Sequence, residues 1–188
     1  MIEVELKVRL DEEEALDLPD KLKKLGFTRY GKIEEIDTYF NGIDRDFRET
    51  DEALRVRESI DLDRGHNRYY LTYKGPKMDK VSKTREEYQV GVMDGDTTKV
   101  ILKKLGFKMV SPIRKVREIY KKGEVVVSID KVEDIGYFVE FEKTVRSESE
   151  KEDSIKELMD LIRSLNMDEG RLIRSSYLEL RDAYEKKR

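Results

Sequence analysis

The chain has 188 residues, the size of one domain, and 37% of them are apolar, enough to bury a core. Charged residues make up 43% against roughly 25% in typical soluble proteins, yet the net charge is only −3, so bulk attraction to DNA, RNA or an anionic membrane is not indicated. Cysteine is absent and there is one histidine, which excludes a disulfide framework, thiolate metal sites and His-based zinc. Any metal must therefore be held by carboxylates, which selects a hard ion such as Mg²⁺ or Mn²⁺.

No apolar run approaches ~20 residues and no signal peptide is visible, so a soluble cytoplasmic protein is expected. One glutamine and three asparagines beside abundant glutamate and lysine fit a protein from a hot environment. The first predicted strand, 2–10, alternates strictly. It places Glu3, Glu5, Lys7 and Arg9 on one face and Val4, Leu6, Val8 and Leu10 on the other. Such a row could hold a divalent metal beside a phosphate, or be the wet side of an ordinary sheet.

Asp11-Glu-Glu-Glu14 reads as an acidic helix start, with helix expected near 20–25. Strands are predicted at 28–41, 53–60, 68–74 and 84–90, a helix at 96–105, and strands at 108–120, 124–132 and 135–145. The helix predicted at 151–165 carries one apolar stripe of Ile155, Leu158, Met159, Ile162 and Leu165. A last short helix is expected over 176–184. Turns are signalled at 63–67, 121–123 and 134–136. His66 falls in one of them and is expected to be exposed. The stretch Gly75–Lys83 is the best candidate for a mobile loop; its Lys77, Lys80 and Lys83 could close on phosphate or simply be solvated.

The hexapeptide Leu22-Lys-Lys-Leu-Gly-Phe27 recurs identically as Leu102-Lys-Lys-Leu-Gly-Phe107. Each copy ends a helical stretch with glycine at the C-cap position. Each is preceded by a charged strand and followed by an extended segment with aromatic residues. Two related halves, roughly 1–80 and 81–146, are therefore expected in one domain covering 1–188, with C-terminal helices over 149–188. Eight short strands joined by tight turns suggest an antiparallel barrel or sandwich.

The parity of the strands then collects charge. Lys7, Arg9, Arg55, Arg57, Lys74, Arg85, Lys115 and Arg117 fall on the same faces as Glu3, Glu5, Glu87, Asp130, Glu140 and Glu142. For any one strand, a solvated face with cross-strand ion pairs of ~0.2–1 kcal/mol each explains this. If the sheet closes, helices should cover the apolar face and the charges should line the lumen. A polyanion with divalent cations would satisfy them.

The ordered motifs Glu3-x-Glu5-x-Lys7, Leu54-Arg-x-Arg57, Thr72-Tyr-Lys-Gly75, Lys115-x-Arg117, Ile129-Asp130 and Glu140-x-Glu142 resemble the CYTH superfamily, also called triphosphate tunnel metalloenzymes. That resemblance implies an α+β, mainly β fold: a closed, eight-stranded antiparallel tunnel barrel with flanking helices. It implies Glu3, Glu5, Asp130, Glu140 and Glu142 as metal carboxylates. Lys7, Arg9, Arg55, Arg57, Lys74, Arg85, Glu87, Lys115 and Arg117 are expected to contact the substrate. Gln89 stands where the family pattern suggests a charged residue, usually Glu. Tyr39 and Phe40 are expected to pack, and the role of Asp37 is left open.

The implied substrate is a small-molecule triphosphate: ATP, thiamine triphosphate or inorganic triphosphate. Two reactions fit. In cyclisation, resembling the class IV adenylyl cyclases, the ribose 3′-hydroxyl attacks the α-phosphate of ATP. In hydrolysis, water attacks the terminal phosphate. Glu5 and Lys74 are the catalytic candidates, Lys74 acting on the water if burial lowers its pKa, or else anchoring phosphate as a cation. A non-catalytic module sensing polyphosphate or nucleotides is the alternative from another class. The apolar residues of the C-terminal segments are expected to pack on the barrel or on a second subunit, with a homodimer favoured.

Overall fold

A computed structural model describes residues 2–78, 85–110 and 112–187. Its frame is a single antiparallel sheet closed on itself. The strands are β1 (Ile2–Leu10), β2 (Thr28–Asn41), β3 (Ala53–Asp61), β4 (Asn67–Lys74), β5 (Arg85–Val92), β7 (Ile113–Lys122), β8 (Val125–Val132) and β9 (Gly136–Val145), with a two-residue strand β6 (Lys108–Met109) beside β2. Around the barrel the order is β3-β4-β5-β1-β9-β8-β7-β2, and the β2–β3 pairing closes the ring. The predicted strand at 108–120 is therefore broken. Pro112 has no N–H to give to a ladder, and the Val110 N–H bonds instead to the Tyr39 carbonyl.

This order exchanges the first strand of each half. β1 pairs along its length with β9, and β5 pairs with β4, while β1 and β5 touch only through Ile2–Glu86 and Glu3–Arg85. Residues 1–80 cannot close a barrel without the strands that follow them.

Among the described residues four α-helices flank the barrel: α1 (Glu12–Lys24), α2 (Gly95–Lys104), α3 (Lys151–Ser164) and α4 (Tyr177–Glu185). α1 starts earlier than the 20–25 expected, because Asp11 and Glu14 form a reciprocal capping box with two 2.8 Å bonds. Pro19 sits inside it at the cost of one intrahelical hydrogen bond. The two hexapeptides end α1 and α2 identically. Gly26 (φ 86°) and Gly106 (φ 103°) adopt the left-handed conformation. Phe27 and Phe107 donate backwards to Leu22 and Leu102 at 3.0 and 3.1 Å, as in a Schellman motif.

The packing settles which face points inward. Val4, Leu6 and Val8 are at most 1% exposed and join Leu18, Leu22, Leu158 and Ile162 beneath α1 and α3. Leu54, Val56 and Phe40 meet Leu102 beneath α2. With helices on the apolar face, the charged parity must line the lumen. The stripe of α3 is spent on the barrel wall, and Tyr177, Leu178 and Leu180 of α4 join a third apolar cluster with Ile113, Val132, Ile135 and Phe138. The C-terminal segments thus pack on the barrel wall, the first of the two expected partners. No helix among the described residues is long and apolar enough to cross a membrane.

Candidate functional site: a charged barrel lumen

A cavity of about 540 Å³ occupies the lumen and opens towards α4 and the loop before β3. Its walls carry Lys7, Arg55, Arg57, Lys74, Arg85, Lys115 and Arg117 together with Glu3, Glu5, Glu87, Glu140 and Glu142. Asp130 lies in the wall behind them, fully buried. Thirteen of the fourteen charges expected on one face are thus brought together. The exception is Arg9. At its level the lumen is filled by Phe138 and its apolar neighbours, so Arg9 lies exposed, 3.2 Å from the Ile135 carbonyl and 4.8 Å from the Phe138 ring centroid.

Two carboxylates belong to this set that strand reading passed over or left open. Glu35 and Asp37, on β2, are 4% and 1% exposed. Asp37 takes the Arg57 guanidinium in a fork at 2.6 and 2.7 Å, and Glu35 pairs with Arg57 at 2.8 Å and with Lys115 at 2.9 Å. Burial alone would raise both acids. Arg57 and Lys115 overcome it, holding Glu35 at about 2 and Asp37 well below the usual carboxylate range. The parity Glu35-x-Asp37-x-Tyr39 carries the sequence signal for both. Tyr39 lines the cavity and Phe40 is in the outer core.

Three of the five metal candidates crowd together. Glu5, Glu140 and Glu142 each offer an oxygen, and the three oxygens lie within 4.8 Å of one another. Glu5 and Glu142 face each other across the β1–β9 ladder, as do Lys7 and Glu140. Burial, then the charges of Glu3, Glu140 and Glu5, push Glu142 up to about 8 even with Arg117 near it. Crowded oxygen donors under mutual repulsion are a donor set that fits a hard divalent ion. The other two candidates are turned elsewhere. Glu3 bonds Lys74 at 2.9 Å, and Asp130 forks onto Arg117 at 2.7 and 2.6 Å while accepting the Tyr177 hydroxyl at 2.6 Å. Arg117 also reaches Glu140.

Two roles are open for Lys74, and its surroundings favour the anchoring cation. Burial acts to lower its pKa. Glu3 and Glu87, the latter 2.7 Å away, outweigh it and raise Lys74 above its ordinary value. These two carboxylates favour its ammonium form.

Arg55 is less committed. Its Nε is buried without a hydrogen-bond acceptor, and its nearest carboxylate is Asp37 at 3.6 Å. Among the described residues Arg85 meets Asp51, its carbonyl at 3.4 Å and its carboxylate at 3.6 Å. Gln89 lines the cavity and accepts from Thr72 at 2.9 Å. His66 is exposed in the turn between β3 and β4. Lys77 is not solvated: it bonds Asp51 at 2.6 Å and lies 3.9 Å from Glu179. Lys80 and Lys83 lie outside the described residues.

The comparisons agree with this geometry. A Methanocaldococcus jannaschii protein provisionally named an adenylate cyclase is 51% identical over 181 residues, covering 96% of this chain and 99% of its own length. A solved Pyrococcus horikoshii OT3 structure is 38% identical with a TM-score of 0.87, covering 99% of each chain. A Hippeastrum protein, provisionally an adenylyl cyclase and described as revealing a dominant triphosphatase activity, shares the fold at 16% identity and a TM-score of 0.65, covering 100% of this chain and 96% of its own. The CYTH domain profile matches residues 1–177, and the chain belongs to the CYTH domain family.

Proposed function

We propose that this protein is a divalent-metal-dependent enzyme acting on the triphosphate of a small molecule within its barrel. The observation that carries this reading is the coexistence, in one lumen, of a buried guanidinium N–H without an acceptor at Arg55 and a repelling carboxylate trio at Glu5, Glu140 and Glu142. The first calls for an anionic oxygen and the second for a hard cation; a metal-bound triphosphate supplies both.

In this reading Arg55 and Arg85 receive phosphate oxygens first. Lys7, Arg57, Lys115 and Arg117 exchange part of their carboxylate pairing for phosphate as it enters. These cations then spread the charge that grows on the phosphoryl oxygens in the transition state. Lys74, held protonated by Glu3 and Glu87, anchors phosphate and is not a base. Glu5, Glu140 and Glu142 would hold the ion, which when bound supplies charge neutralisation at the phosphate and Lewis acidity toward the attacking oxygen.

For the reaction itself, the name of the 51% identical relative favours cyclisation of ATP to cyclic AMP and pyrophosphate. Hydrolysis of ATP, thiamine triphosphate or inorganic triphosphate is the second reading, favoured by what is described for the Hippeastrum protein. Product analysis with Mg²⁺ and with Mn²⁺ on all three substrates separates them. Cyclic AMP with pyrophosphate identifies a cyclase and orthophosphate a hydrolase. Tight metal-dependent binding without turnover would overturn the enzymatic reading in favour of a sensor.

A further inference from the structure

We propose that Tyr177 is a positioning residue of the lumen, fixing Lys7 and Arg117 from the first turn of α4. The inference rests on the triphosphate reading above. Sequence parity could not find this residue, because it lies outside the barrel strands and enters the lumen from its end.

The tyrosine is held rigidly. Ser176 caps α4 by accepting from the Glu179 N–H at 3.1 Å, and its own N–H donates to the Glu179 carboxylate at 2.6 Å. Arg181 donates to the Pro112 carbonyl at 3.1 Å, and Asp182 accepts from Arg48 at 2.9 Å. The segment before the helix is stitched to β1, where the Ile173 N–H meets the Lys7 carbonyl at 2.8 Å. The ring is 5% exposed and packs against Phe138 at 5.1 Å between centroids.

From that position the side chain touches the charge network in two ways. Its hydroxyl donates to Asp130 at 2.6 Å, and Asp130 in turn forms the fork that sets the plane of Arg117. Its ring face lies under the Lys7 ammonium, 3.6 Å from the centroid, with Lys115 at 5.3 Å. Burial, with Asp130 and Glu140 nearby, keeps the phenol protonated, so it serves as a donor. Without the hydroxyl, Asp130 keeps Arg117 but loses the second donor on its Oδ2. Without the ring, the Lys7 ammonium loses its support opposite Glu140, 3.1 Å away.

Tyr177→Phe removes the hydroxyl and keeps the ring; Tyr177→Leu removes both. Binding of inorganic tripolyphosphate to the full chain in EDTA is measured by calorimetry, and kcat and KM are measured with Mg²⁺ on the substrate that the wild type turns over. The Phe variant is expected to weaken tripolyphosphate binding about tenfold, with the loss in kcat/KM carried mostly by KM, and to fold with a Tm several degrees below wild type. The Leu variant is expected to weaken it about a hundredfold. If Leu does not fold, Phe alone decides. Wild-type binding with a folded Phe variant inside twofold of it would overturn the positioning role and leave the triphosphate reading standing. A wild-type chain that binds no tripolyphosphate, with or without Mg²⁺, would overturn the triphosphate reading and this inference with it.

Discussion

Arg55 and Arg117 occupy the same lumen and differ in what surrounds them. Arg117 forks onto a fully buried Asp130 and also pairs with Glu140. Replacing it with leucine takes the guanidinium from buried Asp130, while Glu140 keeps Lys7 at 3.1 Å, and breaking a buried pair from one side costs about 3–5 kcal/mol. We expect Arg117→Leu to lower Tm sharply in thermal unfolding. Arg55 has an unpaired Nε and stands beside Arg57, whose like charge opposes it. Asp37 keeps Arg57 and Lys115 when Arg55 is lost. Arg55→Leu should therefore leave Tm unchanged or raise it, while triphosphate affinity falls about 30-fold or more, the worth of a hydrogen bond to a charged group. A large fall in Tm for Arg55→Leu with intact binding would contradict the assignment of Arg55 as an anion receptor. Both arginines were legible from the Leu-Arg-x-Arg and Lys-x-Arg spacings. Their difference was not, because it depends on which carboxylates the register places opposite them.

Among the elements, the hexapeptide caps were the most transparent in the sequence. A glycine after a helical run is needed where φ turns positive, and the structure places Gly26 and Gly106 there at 86° and 103°. Gly26→Ala imposes a side chain on a left-handed backbone and should cost about 1–2 kcal/mol. For a domain of this size that is a Tm loss of about 2–8 °C, measurable by calorimetry. The start of α1 was legible only as an acidic run. Glu14 turns out to close the capping box and also to take Arg171 in a fork at 2.6 and 2.7 Å, tying α1 to the segment before α4. The bond to Arg171, then the Asp11 backbone N–H, hold Glu14 at about 2 against an ordinary 4.5. Because the folded value is depressed, the stabilisation is present above 4.5 and is lost as pH falls from there through about 2. The pair is about a third exposed, so solvent screening limits its worth to at most about 1 kcal/mol. Glu14→Gln should lower Tm by a few degrees at pH 7 and flatten the slope of Tm against pH between about 4.5 and 2. An unchanged slope would show that Glu14 is not linked to folding.

For the whole barrel, charge balance governs how such a lumen can exist. Seven cations, from Lys7 to Arg117, face eight carboxylates once Glu35 and Asp37 join and Arg9 departs. The lumen is nearly neutral by itself, so most of its cations are already paired and the barrel does not depend on ligand to hold them. The one acid in excess falls where the oxygens of Glu5, Glu140 and Glu142 crowd and hold Glu142 protonated up to about 8, a proton that a divalent ion would displace. Mg²⁺ or Mn²⁺ at 100 times its dissociation constant should then stabilise the fold by about 2.7 kcal/mol, raising Tm by roughly 5–11 °C. EDTA should reverse the rise, and Glu142→Gln should remove most of it. A wild-type Tm indifferent to both ions would contradict the carboxylate site. The period-two alternation of the strands, the turn residues and the glycine caps were readable in the chain itself, because they follow from local backbone geometry. They sufficed for eight strands and for which side chains share a face. The direction of that face was settled by closure: with β1 lent to one set of strands and β5 to the other, and helices covering the apolar side, the charges had to turn inward. Which carboxylate answers which cation, and the entry of Tyr177 through the end of the barrel, depend on strand register and on a helix far along the chain. Only packing in three dimensions brings those together.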